Sequence, residues 1–179
     1  MTPRGVVLAD ALRSALPLIT RYLVGFEDSN RTTQLPGLPN HAAWTLGHLA
    51  LYHHRAAERL LGYDDARPLV GADFVAGDGT GGDRDRFDTE SICNGSIPRD
   101  NPGLYPSWGR CVCIHGAAWA RLISVTGDLD DAMLDREISW AIPPITGEDL
   151  ITRMIFHLGM HAGQLVDLRR GMGLGRANG

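Results

Sequence analysis

Lysine is absent: all 17 basic residues of the 179-residue chain are arginines. A Schiff-base or pyridoxal-phosphate enzyme needs a lysine amine, and the P-loop and protein-kinase signatures each place one at the phosphates, so those activities are excluded. Cysteine is scarce too. Cys93, Cys111 and Cys113 are odd in number and poorly spaced for a disulfide framework, which predicts a reducing, cytoplasmic setting. No stretch reaches the roughly 18 consecutive apolar residues of a membrane helix. Met1 to Val7 lacks the apolar run and cleavage site of a secretory signal. Positive charge is not in excess either: the formal charge is −4, which argues against a nucleic-acid partner. The length suits a single domain over residues 1–179 with a core of useful size.

What is plentiful is histidine, with seven residues. It is the commonest metal ligand and the one side chain that titrates near neutrality unperturbed.

Apolar periodicity predicts four helices. The first runs from about Gly5 to Phe26 on a stripe of Leu8, Leu12, Leu16, Ile19 and Leu23, with Pro17 predicting a kink or a late start. The second covers about His41 to Leu61, capped by Asn40 and closed by Gly62. The third starts at a Ser107 cap and ends near Thr126, with Trp108, Val112, His115, Trp119 and Leu122 as its stripe. The fourth covers about Gly147 to Arg170, with Thr146 and Asp149 as a capping box. Between Tyr63 and Pro106 periodicity disappears, and Gly and Asp dominate; a long loop is expected there, of the kind that forms lids or binding surfaces. Four amphipathic helices without strand periodicity predict an all-α four-helix bundle.

His157 and His161 stand four residues apart, so one helix face carries both, and that face also holds Leu150, Met154, Leu165 and Leu168. Two inward imidazoles need partners, and a divalent ion with a third ligand satisfies both at once. A third ligand must come from another helix. His48, with Trp44 four residues before it and Tyr52 four after, is the candidate, although spacing alone does not connect it to the pair.

Two local patterns connect them. Trp44-Thr45-Leu46-Gly47-His48-Leu49 is similar to the W-x-x-G-H-L motif of the DinB-like (DinB/YfiT-like) family of metalloenzymes, which includes thiol transferases. His157-Leu158-Gly159-Met160-His161-Ala162-Gly163-Gln164-Leu165 resembles that family's H-x3-H-x2-Q-[LI] motif on the last helix. Between them, Gly95-Ser96-Ile97-Pro98 and Tyr105-Pro106-Ser107 resemble the loop and third-helix start of one subgroup. The resemblance spans roughly residues 5 to 175. It implies an up-down-down-up bundle with His48, His157 and His161 holding zinc, nickel or a similar divalent ion, often in a homodimer.

Three protein ligands leave room for water or substrate, as catalytic sites do. Leu158 stands where an H-E-x-x-H zincin carries its glutamate, so peptidase chemistry of that kind is not expected. The reactive group would then be water or a thiolate on the ion, and a small-molecule substrate follows. A transferase using a low-molecular-weight thiol is preferred, which the resemblance also implies. The alternatives are a metal-dependent hydrolase of a small substrate and a non-catalytic, stress-associated bundle stapled by the ion.

Other residues carry weaker readings. Trp44 and Tyr52 could wall the substrate pocket. Gln164 either hydrogen-bonds bound water or substrate or spans to a neighbouring helix. Arg55, about two turns past His48, either meets an anionic substrate or is a solvated arginine near the helix end. Cys111 and His115 are a conceivable second ligand pair, with core packing the plainer reading. His53 and His54 point in different directions, so at least one should be exposed. Asp78, Asp83 and Asp85 lack the EF-hand order and read as a flexible acidic loop.

Overall fold

A computed structural model describes residues 2–63 and 69–177. Four long helices form it: α1 (Pro3–Tyr22), α2 (Ala42–Leu60), α4 (Trp108–Asp128) and α6 (Gly147–Gly171). Two short helices, α3 (Thr89–Ile92) and α5 (Asp131–Asp135), lie in the connections. Two-residue strands make a parallel ladder, β1 (Phe74–Val75) with β2 (Phe87–Asp88), and an antiparallel one, β3 (Glu137–Ile138) with β4 (Ile145–Thr146). The all-α four-helix architecture is the one expected from periodicity.

Local chemistry sets the helix ends. The Thr2 hydroxyl accepts the Gly5 N–H and opens α1, with Pro3 at a position whose N–H would be unpaired anyway. The helix then runs through Pro17 instead of starting after it, and it stops at Tyr22, four residues before the expected end. The cap of α2 is His41, not Asn40: the His41 Nδ1 accepts the Trp44 N–H at 3.1 Å. At α4, Ser107 occupies the cap position without a side-chain bond, and Asp28 in the α1–α2 connector accepts the Trp108 N–H at 2.8 Å instead. The capping box of α6 is complete, with Asp149 N–H on the Thr146 hydroxyl and Thr146 N–H on the Asp149 carboxylate.

The inward stripe of α4 is rotated from the expected one. Cys111, Ile114, His115, Ala118, Trp119 and Leu122 are buried, while Val112 faces outward. Both α1 and α2 pack against α4 and α6, and α2 also carries α3 on a further side. Sixteen of the 19 residues of α2 are therefore buried, the condition of a helix surrounded by protein. The stretch expected to be an irregular loop supplies much of that cover. Within it, β1, β2, α3 and a 3-10 turn (Pro102–Leu104) send Phe74, Phe87, Ile92, Leu104 and Tyr105 into the core.

Gly47 makes that docking possible. A Cβ built there would stand 2.6 Å from the Phe87 ring and 3.0 Å from an Ile92 methyl. No such contact is tolerable, and the neighbour is a buried aromatic ring with little room to retreat. Gly47→Ala is expected to cost about 1–3 kcal/mol through overpacking, read as a lower urea midpoint. An unchanged midpoint would show that the β2–α3 segment does not rest tightly on α2.

Candidate metal centre

The α2 and α6 helices face each other, and His48 of the first meets His157 and His161 of the second. The His157 Nε2 lies 3.2 Å from the His48 Nε2 and 3.1 Å from the His161 Nε2. All three ligand atoms fall within 4.8 Å of one another, and among the described residues no other histidine, cysteine or carboxylate group of three converges in this way.

The outer nitrogens decide what these inner atoms can do. His48 donates its Nδ1–H to the Ile92 carbonyl at 2.8 Å, and His161 donates its Nδ1–H to the Gln164 Oε1, also at 2.8 Å. Gln164 is held in turn by the Asn40 amide, whose Nδ2 donates to the same oxygen at 2.9 Å. A neutral imidazole with its proton on Nδ1 presents a bare lone pair at Nε2. Two such lone pairs therefore point at His157. A proton on the His157 Nε2 could satisfy one of them and leave the other exposed, while its Nδ1 is buried without a partner. A divalent cation satisfies all three at once. Ligand nitrogens at about 2.1 Å in tetrahedral geometry stand roughly 3.4 Å apart, close to the separations seen.

Burial keeps the set neutral. It lowers the His157 pKa to about 3, aided by the two neighbouring imidazoles, and the His161 pKa to about 4, aided by His48. His48 is lowered by the same cause against the opposing pull of the Ile92 carbonyl, and nearby Arg55 lowers it further. Ligands must be deprotonated to bind metal, and these are so throughout the neutral range.

Aromatic rings fix His48 from both sides. Trp44 stacks on it at 4.4 Å between centroids and 16° between planes, and Tyr52 lies at 4.7 Å. The α3 segment anchors both rings: the Trp44 Nε1–H donates to Ser96, and the Asn94 N–H donates to the Tyr52 hydroxyl. Beyond the histidines lies a cavity of about 530 Å³, lined by His48, His157 and Tyr52 and by Arg55, Arg153 and Trp140 among others. Of the side chains expected to wall a substrate pocket, Tyr52 lines this cavity, whereas Trp44 and Gln164 lie outside its lining and against the histidines. Sequence reasoning passed over Asn40, which it read as a cap, and Arg153. The signal for Arg153 was its place one turn before His157 on the same face.

The remaining histidines correct an expectation. Neither His53 nor His54 is exposed; both are buried, because α2 is covered on nearly every side. His53 packs on Trp119 and near His115, and His54 meets Phe74 edge-on. Cys111 and His115 form no ligand pair: the buried Cys111 thiol hydrogen-bonds the Pro106 carbonyl, and burial pushes its pKa up to about 12. In the acidic loop Asp78 turns back to Thr80, and Asp83 binds the Asp85 and Arg86 amides and the Arg86 side chain. No shared ion site arises there.

Two outcomes follow. Gln164→Leu removes the acceptor that holds the His161 proton on Nδ1, and metal affinity should fall by about 10- to 100-fold with the fold retained; competition with a chelator would measure it, and unchanged affinity would deny Gln164 this role. The metal-free protein should also lose stability on acidification. Burial lowers His41 and His115 to about 4 and His53 well below its usual value. Between about pH 6.5 and 4 the unfolded chain binds protons that the native state refuses, so stability falls as pH falls through that window. Urea midpoints that stay flat over that range would contradict it.

Comparison with known proteins agrees with the geometry. Residues 11–165 match the model of the DinB superfamily. The fold resembles a crystal structure of the conserved protein of a locus from Enterococcus faecalis, with a TM-score of 0.65 at 16% identity, covering 95% of this chain and 97% of that one. No curated protein matches the sequence. With the family model covering most of its length and its three histidines brought together, the chain belongs to the DinB superfamily.

Proposed function

We propose that this protein is a metal-dependent enzyme, a transferase that uses a low-molecular-weight thiol, with His48, His157 and His161 holding zinc or nickel. One observation carries the reading: the imidazole cluster forms part of the wall of an open cavity large enough for a small molecule. An ion serving only as a staple would be enclosed by protein ligands, whereas catalytic sites keep a position free. When bound, the ion would act as a Lewis acid that favours the deprotonated form of a thiol or of water.

The chain's own residues favour the thiol. Among the described residues no aspartate or glutamate lines the cavity, so water attack has no carboxylate general base there, and the hydrolase alternative has less support. Among the described residues no cysteine lines it either, so the sulfur enters as a co-substrate. Gln164 and the Ile92 carbonyl hold two imidazoles with their lone pairs inward. The Tyr52 hydroxyl accepts from the Asn94 amide, which leaves its own proton for a group in the cavity. Trp140 meets the Tyr52 ring edge-on at 6.1 Å and completes that side of the lining.

Purified protein should carry about one divalent ion per chain, and His161→Ala should lower the content to about a tenth or less, as expected when a site loses one of three ligands. Full metal content in that variant would remove the site. Zinc- and nickel-loaded forms tested against a panel of thiols and electrophiles should give thioether product. Bound metal with no thiol turnover, and no perturbation of the nickel spectrum by thiols, would discard the transferase.

A further inference from the structure

We infer that the cavity selects a small molecule bearing carboxylates, with Arg55 and Arg153 holding the acid groups while its reactive atom reaches the histidine cluster. This rests on the reading of the cavity as the substrate site and names the class of substrate. Among the described residues the lining contains Arg55 and Arg153 and no acidic residue, in a chain whose formal charge is −4. Several arginines elsewhere meet carboxylates: Arg110 pairs with Asp73, Arg121 with Glu58, and Arg4 with Asp131, Asp135 and Glu148. Among the described residues neither Arg55 nor Arg153 pairs with an acid. Arg55 instead lies over the Tyr52 ring, its guanidinium carbon 5.5 Å from the centroid, a contact that orients the fork without neutralising its charge. A recess that holds the guanidinium groups of Arg55 and Arg153 without a paired acid attracts anions and raises their local concentration.

Spacing sets the size of the ligand. Arg55 lies seven residues past His48 and Arg153 four before His157, so at 1.5 Å per residue their backbones stand roughly 10 and 6 Å along their helices from those of the histidines. They rise from two different walls of the cavity, α2 and α6. Two separated forks suit two spaced carboxylates better than one compact phosphate, since each planar guanidinium can take one carboxylate in bidentate fashion. A dicarboxylate whose thiol or electrophilic carbon lies a few bonds from its acid groups fits a volume of about 530 Å³.

Calorimetric titration of the metal-loaded protein with succinate, mercaptosuccinate, 2-mercaptoethanol and inorganic phosphate tests this. Succinate and mercaptosuccinate should bind more tightly than phosphate, and their affinity should fall with added salt. Arg55→Gln and Arg153→Gln should each weaken both dicarboxylates about ten-fold or more and leave 2-mercaptoethanol unchanged, while Arg153→Lys retains part of the affinity. The loss should also appear in metal-free protein, because the arginines rather than the ion hold the acids. Circular dichroism and metal content confirm that each variant is folded. Equal succinate affinity in the double glutamine variant, or tighter binding of phosphate, would overturn the proposal. Arginine-dependent dicarboxylate binding with no gain from the thiol would uphold it while removing the thiol transferase. Thiols that bind without regard to charge would do the reverse.

Discussion

Three imidazole nitrogens gathered within hydrogen-bonding distance cannot all be satisfied by protons. Each neutral ring has a single N–H, and at His48 and His161 that proton is already committed outward, to the Ile92 carbonyl and to Gln164. The inner nitrogens are left as acceptors facing acceptors, in surroundings whose low polarity also forbids relief by protonation. A shared cation satisfies all three inner nitrogens, where a proton on the His157 Nε2 satisfies one contact and leaves the other unmet. The rest of the site is arranged around keeping those protons outward: Asn40 holds Gln164, and Trp44 and Tyr52 hold the plane of His48.

The same constraint gives the segment between α2 and α4 a part in the site. It must bring a backbone carbonyl to the His48 Nδ1, and only a chain running along α2 can do so. Gly47 supplies the space, Phe87 and Ile92 fill it, and the Ile92 carbonyl then arrives beside His48 as a result of apolar packing. Asp88 caps α3 by accepting the Glu90 and Ser91 amides, which fixes the turn that aims that carbonyl. Packing and ligand orientation are thus one structure: a disturbance of the Phe87 contact reaches the proton on His48.

Much of this was legible in the residues and part was not. The pairing of His157 with His161 follows from helical period alone, and so does the inward face they share with Leu150 and Leu165. Periodicity could not join His48 to them, since nothing in a spacing along one helix reports which neighbour it faces; the W-x-x-G-H-L resemblance supplied that link. The cap of α2 was displaced by one residue because histidine can accept through Nδ1 as asparagine does through its amide oxygen, and Asn40 was released to hold Gln164. His53 and His54 were misplaced for a different reason. Adjacent residues on a helix diverge, which guarantees an exposed one only if some side of the helix is open, and α2 has almost none.

The missing lysines acquire a meaning at the cavity. A lysine ammonium near a metal site can lose its proton and become a competing ligand or base, whereas a guanidinium stays charged at every pH a protein survives. Arg55 and Arg153 therefore give the cavity a positive charge that acidity does not switch. Under the proposed function, attraction of an anionic substrate falls to groups insensitive to pH, and activation falls to an ion held by histidines that burial keeps neutral.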